Sequence, residues 1–190
     1  VFASPHSGRD YPQWFLRKTV LDERTIRSSE DAFVDRLFER APIVGAPLLL
    51  AGAPRAFVDL NRAPDELDPA LIKDLRRVAH NPRVAGGLGV VPRVVANGRA
   101  IYRGKITQEE ANHRIANYWR PYHDALQELL DTARMDFGRA ILIDCHSMPS
   151  EAKGAAQSAA DIVLGDRFGT SASGEIVDLI ESAFASAGFR

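Results

Sequence analysis

Ala140-Ile141-Leu142-Ile143 is an apolar run with no polar residue in alternation. Such a run fits a strand covered on both faces, as in α/β sheets flanked by helices. Further β-type runs occur at Val1–Ala3, Pro47–Ala51, Ala56–Leu60, Gly89–Val95, Ile101–Tyr102 and Ile162–Leu164. Amphipathic stretches separate them. Thr107-x-x-Glu110 is a capping box, and Ala111, Ile115, Tyr118, Tyr122, Leu126, Leu129 and Ala133 come after it at helical spacing. Pro121 lies inside that pattern, where it removes a backbone bond and is expected to kink or split the helix. A second helix is expected over Ser173–Ala187, with Ile176, Ile180, Ala183 and Ala187 on one face and Gly188 as terminator. A third runs from Asp31 to about Arg40, carrying Val34, Leu37 and Phe38 inward. Asn97-Gly98, between Val94-Val95 and Ile101-Tyr102, signals a hairpin. Strands alternating with helices, plus one hairpin, predict an α/β domain with a mixed sheet.

The chain of 190 residues fits one domain, expected to span 1–190. At that length roughly 70 % of the unfolded surface is buried, so the core needs no disulfide or structural metal. With 24 basic and 25 acidic residues the net charge is −1. That gives no general attraction to nucleic acid or anionic lipid. No apolar run approaches the roughly 18 residues of a membrane span. The single cysteine excludes an intrachain disulfide and suits a reducing cytoplasm. The chain starts inside the apolar run Val1-Phe2-Ala3 and stops at Gly188-Phe189-Arg190, as a helix hands over. Both ends therefore read as cut.

Two histidines stand out by position. His6 comes after Val1–Ala3 and His146 after Ala140–Ile143, each just past the C-terminal end of an expected core strand. Ligands of open α/β sheets bind at that edge, and two imidazoles delivered there can share a metal ion such as Zn²⁺. A third ligand is sought among Asp31, Glu30 and Asp10. Asp31 opens an expected helix, where N-terminal capping is its ordinary role. Cys145 and His146, as neighbours on a strand, point to opposite faces and make no dyad, whereas Asp144 and His146 share one. Cys145 reads as a buried structural residue. Asp59 and Asn61 fall on one face with Arg62 next in line, and Arg matches a substrate carboxylate with its two-pronged fork. A local Asp59–Arg62 ion pair is the competing reading. Arg167, in Gly165-Asp166-Arg167-Phe168-Gly169, is a second anion-binding candidate. Gly86-Gly87-Leu88-Gly89 lacks the Gly-Lys-Ser/Thr of a phosphate loop and reads as a flexible loop. His123 reads as a satisfied helix residue, and His80 and His113 as surface residues.

Pro5-His6-Ser7-Gly8, Asp31-x-x-x-Asp35-Arg36-Leu37-Phe38, Val58-Asp59-Leu60-Asn61-Arg62, Pro121-Tyr122-His123, Asp144-Cys145-His146-Ser147-Met148 and Gly165-Asp166-Arg167-Phe168-Gly169 occur in this order. Together they resemble the N-formylglutamate amidohydrolase family over nearly the whole chain. The resemblance implies a three-layer α/β/α sandwich of the phosphorylase/hydrolase-like kind, similar to zinc carboxypeptidases. It implies hydrolysis of N-formyl-L-glutamate to glutamate and formate, late in one route of histidine breakdown. It also implies one zinc per chain, held by His6, Asp31 and His146, with Arg62, Asn61 and Arg167 at the substrate. The family continues with an Asn-x-Pro-Tyr-x-Gly-Gly-type segment and a later Glu, the implied general base, and neither is in this sequence. Ala32 stands where a tryptophan often comes after the acidic position. The alternatives are a zinc hydrolase of another N-acylated acidic amino acid, or a non-catalytic metal- or amino-acid-binding relative. Neither nucleic acid nor membrane is an expected partner.

Overall fold

A computed structural model describes residues 1–75, 81–149 and 160–190. They form two compact units, Val1–Ser147 and Met148–Arg190. The first is built on three short strands, β1 (Phe2–Ser4), β2 (Leu48–Leu50) and β3 (Ile143–Asp144), in the order β2-β1-β3. Its helices are α1 (Gln13–Leu16), α2 (Glu23–Ile26), α3 (Val34–Leu37), α4 (Pro82–Ala85), α5 (Gln108–Arg114) and α6 (Arg120–Phe137). The second unit holds α7 (Gly174–Ser186). No helix among the described residues is long and apolar enough to cross a membrane.

Both sheet pairings are parallel. Phe2 stands opposite Leu48 on one side and Ile143 on the other, and Ala3 opposite Leu49 and Asp144. The expected mixed sheet is thus parallel throughout its paired strands. Among the described residues, antiparallel pairing is confined to isolated bridges, Val94 with Ala100 and Thr19 with Tyr102. The Asn97-Gly98 turn does form, with Asn97 at φ 65° and Val95 N–H donating to Arg99 O at 3.0 Å. It closes a loop, not a ribbon of the sheet.

Four expected strands do not form among the described residues. Ala56–Leu60 is buried but runs through turns, with the Phe57 and Val58 amides both donating to Pro54 O. Its Phe57 and Leu60 carbonyls are taken by side chains of Arg114 and His123. Gly89–Val95 and Ile101–Tyr102 also pair with loops: Val90 N–H meets Glu66 O, and Ile101 N–H meets Arg93 O. In the second unit, the Ile162 amide donates to Arg190 O and Ile162–Leu164 forms no strand. In the three runs of the first unit burial comes without a ladder, whereas Val163 and Leu164 are exposed. Gly89 is no flexible hinge either, since a Cβ there would lie 2.3 Å from Glu66 O.

Of the helices, α5 starts on the Thr107 cap, whose side chain accepts from the Glu110 amide. The break expected at Pro121 is a π-helical turn, Ile115–Trp119, ahead of α6. Pro121 is then the second residue of α6 and offers no amide to the π turn behind it. The Asp31–Arg40 helix is corrected to the single turn α3. Phe33 before it is left-handed at φ 66°, so the helix cannot extend back to Asp31. Val34 is buried and Phe38 packs on Phe2, but Leu37 points outward at 76 % exposure. In α7 the half-buried face is Ile176, Val177, Ile180 and Phe184, while Ala183 and Ala187 are exposed. His113 is exposed as expected, and His80 lies outside the described residues.

The core gathers around Phe15, Phe57, Ile26, Ile72 and Ile101. Arg114 is completely buried within it. Its guanidinium pairs with Glu110, donates to Tyr102 Oη at 2.6 Å, and lies 4.5 Å from the Phe57 ring centroid. Gly8 is the tightest point near the sheet edge: a Cβ would lie 2.2 Å from Ala53 O and 2.6 Å from Gly52 O, both backbone atoms. Gly8→Ala is expected to destabilise the fold by about 1–3 kcal/mol through overpacking. An unchanged denaturation midpoint would show that this loop yields freely.

Candidate metal centre

β1 and β3 are adjacent and parallel, so their C-terminal ends open on the same edge. His6 leaves β1 two residues after Ser4, and His146 leaves β3 two residues after Asp144. Neighbouring strands lie ~4.8 Å apart, and the two imidazole centroids are 4.8 Å apart. Asp31 comes from a different part of the chain. Its amide donates to His6 O at 3.0 Å, which ties that loop to the strand end. The carboxylate then reaches both rings, with Oδ2 at 2.8 Å from His146 Nδ1 and 3.5 Å from His6 Nδ1. The three residues offer ligand atoms within 4.8 Å of one another.

The outer nitrogens are held by two more carboxylates. His6 Nε2 meets Asp59 Oδ1 at 2.7 Å, and His146 Nε2 meets Asp144 Oδ2 at 2.9 Å. A carboxylate on the far nitrogen fixes the tautomer and frees the near nitrogen as a lone pair. His6 Nδ1 is the decisive atom. It is buried and has no hydrogen-bond partner among the described residues, although it faces Asp31. A buried nitrogen of that kind, beside an anionic oxygen and a second imidazole, fits a cation with nitrogen and oxygen ligands.

The electrostatics agree with an anionic cage. Burial opposes ionisation of Asp31, but the His146 hydrogen bond and the facing imidazole of His6 outweigh it and hold its carboxyl well below the usual range. Asp59 is likewise brought down to about 2, where burial is outweighed by His6 and Arg55. Burial disfavours the charged form of His146, yet Asp144 and Asp31 overcome it and raise the ring to about 9. Burial pushes the Cys145 thiol up to about 12, which suits an inert structural cysteine.

The other candidates separate clearly. Glu30 accepts from Tyr11 Oη at 2.6 Å and pairs with Arg27, and Asp10 is exposed with its amide on Gly52 O. Asn61 lies against the centre, its Nδ2 at 3.1 Å from Asp144 Oδ2. Arg62 is loosely placed on Asp59, Nε to Oδ2 at 3.9 Å, while Arg55 holds that oxygen at 3.1 Å. Arg62 Nε has no hydrogen-bond partner among the described residues. Arg167 belongs to the second unit and is exposed, in the left-handed region at φ 52°. His123 is satisfied as expected, with Nε2 on Leu60 O at 2.8 Å. The role of Asp59 as partner to His6 went unread in the sequence. An acidic residue inside an apolar run was the available signal, because a buried carboxylate needs a cationic or imidazole partner. His6, though past a strand end, is itself only 2 % exposed. The turn into Gly8 packs it inward.

The sequence profile of the N-formylglutamate amidohydrolase family matches residues 1–190. The chain belongs to that family. The N-formylglutamate deformylase of Pseudomonas putida is 28 % identical over 153 residues, covering 79 % of this chain and 52 % of the relative. That of Pseudomonas aeruginosa is 32 % identical over 133 residues, covering 69 % and 45 %. The chain spans about half the length of these curated relatives. The crystal structure of the N-formylglutamate amidohydrolase from Ralstonia eutropha JMP134 matches at TM-score 0.86 and 35 % identity, over 99 % of this chain and 69 % of that one. The α/β fold is therefore close to a known amidohydrolase structure, in agreement with the six motifs.

His146→Ala is expected to abolish metal binding with little change in fold, because that side chain is 33 % exposed. His6→Ala is expected to lose metal and stability together, since it leaves a cavity and strips Asp59 of its imidazole. Asp31→Asn weakens binding. Metal content of the purified variants checks all three, and full occupancy in a variant removes that residue from the ligand set. The metal-free protein also has a signed pH dependence. His146 is raised from 6.5 to about 9, so its stabilisation is complete below 6.5 and is lost as pH rises through 9. Asp31 and Asp59 are lowered from 3.8, so theirs is present above 3.8 and lost in acid. Denaturation midpoints of the metal-free protein are expected to fall from pH 6 to pH 9, and His146→Ala to flatten that fall. A wild-type midpoint that does not fall contradicts the charge arrangement.

Proposed function

We propose that the full-length protein is a zinc-dependent amidohydrolase that cleaves the formyl amide of N-formyl-L-glutamate, releasing glutamate and formate. The observation that carries the reading is the buried, unpartnered Nδ1 of His6 beside Asp31 and His146. Those three residues would hold one Zn²⁺. When bound, such an ion supplies electrophilic polarisation of the amide carbonyl. Asp59 backs His6 from Nε2 and leaves its Nδ1 unpartnered, and Asp144 backs His146 from Nε2 while its Nδ1 faces Asp31 Oδ2 at 2.8 Å. We read 1–190 as part of one hydrolase domain, a three-layer α/β/α sandwich like that of zinc carboxypeptidases. The reading places the enzyme in the cytoplasm, late in histidine breakdown.

A dicarboxylate substrate calls for two cationic contacts. Arg62 is assigned one, because Arg55 already serves Asp59 and leaves the Arg62 guanidinium without a tight partner among the described residues. Asn61 is assigned a polar contact beside it. The carboxylates of Asp59 and Asp144 are occupied on the outer imidazole nitrogens. The general base, which takes a proton from water and passes it to the leaving amine, is the later Glu that the family resemblance implies.

Formate release by the full-length protein tests the reading. N-formyl-L-glutamate is expected to be hydrolysed, with loss on chelation and recovery on adding zinc. N-acetyl- and N-succinyl-glutamate are expected to be poor substrates. Preference for either would redirect the assignment to another acylated acidic amino acid, and no turnover of any would favour a non-catalytic relative. Arg62→Ala is expected to raise KM about ten- to a hundredfold, the loss of one charge-assisted contact. An unchanged KM removes Arg62 from the substrate site.

A further inference from the structure

The helical segment after Thr107 holds one loop by three carbonyls. Arg114 Nη1 donates to Phe57 O at 3.0 Å, His123 Nε2 to Leu60 O at 2.8 Å, and Trp119 Nε1 to Arg62 O at 2.8 Å. In a regular α-helix, residues five apart lie about 140° from each other around the axis. Arg114 and Trp119 would then face away from a common target. The intervening turn is π-helical, with the Arg120 amide donating to Ile115 O five residues back. That widening brings both side chains toward the same loop. Pro121 favours it, because its ring would press on the Asn117 carbonyl in a regular turn. The Trp119 ring stacks on His123, centroids 3.9 Å apart at 28°, so each fixes the other.

The loop so held connects to both histidines of the centre. Its first half carries Asp59, which is also anchored by its amide on Val90 O and by Arg55. Its second half carries Asn61, whose Nδ2 lies 3.1 Å from Asp144 Oδ2 and 3.2 Å from His146 Nε2. That half is held through the Leu60 and Arg62 carbonyls. We propose that Trp119 and His123 are positioning residues for the His146 side of the centre, set in register by the π turn. They act through the backbone of residues 60–62 and the Asn61 amide, and they touch neither substrate nor metal. The effect on metal affinity rests on the zinc reading, whereas the effect on Asn61 does not.

The test uses ¹⁵N-labelled full-length protein with Trp119→Phe and His123→Phe, which keep an aromatic ring but remove the donor. In metal-free protein the Asn61 side-chain amide and the His146 ring signals are expected to shift in both variants, and the His6 ring signals, reached through the Asn61 backbone amide on Asp59 Oδ1 at 2.9 Å, to shift less. Zinc affinity, read by chelator competition, is expected to fall about ten- to a hundredfold, as for other residues behind a metal ligand. Unmoved Asn61 and His146 signals in either folded variant would overturn the proposal. Equal movement of His6 and His146 would also overturn it, because that marks general loosening. If the wild type takes no zinc, the metal reading fails, and the Asn61 and His146 signals still decide this inference.

Discussion

The parallel pairing of β1 with β3 is the constraint on which the centre depends. Phe2 opposite Ile143 and Ala3 opposite Asp144 set a register in which two imidazoles leave neighbouring strands at the same edge. Strand spacing then fixes ring spacing. The Cys145 amide extends the pairing by donating to Ala3 O at 2.7 Å. A slip of one residue would turn His146 away and carry Cys145 toward the edge. Asp31 completes the cluster because its amide is bonded to the His6 carbonyl, so one backbone bond brings a distant carboxylate between the rings.

Around that edge, charge is arranged in layers. Two imidazoles surround Asp31, two carboxylates back the imidazoles, and Arg55 backs Asp59. Such a network is costly when one member is missing, since a buried charge is then left without its counterpart. A cation among the inner nitrogens and Asp31 would satisfy the buried imidazole nitrogen of His6, which no other described residue meets. Arg114 joins α5 to the loop that carries Asp59 through Phe57 O, while four aromatic rings surround its guanidinium.

The strand-end histidines were legible in the sequence because neighbouring parallel strands release their next residues at one common edge, and order along the chain is enough to see that. The Thr107 cap, the interruption at Pro121 and the α7 helix were legible for similarly local reasons. Asp59 was not, because Ala56–Leu60 looks like a strand by apolarity alone, while its carbonyls are claimed by side chains more than fifty residues away. Leu37 was misjudged because periodicity carries no information about Phe33, whose left-handed backbone starts the helix late. Trp119 was hidden for a third reason. Its reach to Arg62 depends on a π turn, and a 3.6-residue period points it elsewhere.

X-ray absorption at the zinc edge of the metal-loaded, full-length protein tests the central claim most directly. His6, Asp31 and His146 predict a first shell of nitrogen and oxygen only, with outer scattering from two imidazoles. That imidazole signal should drop by half in His146→Ala if any zinc is retained. A sulfur ligand, which only Cys145 or methionine can supply in this sequence, or a spectrum without imidazole scattering would contradict the account.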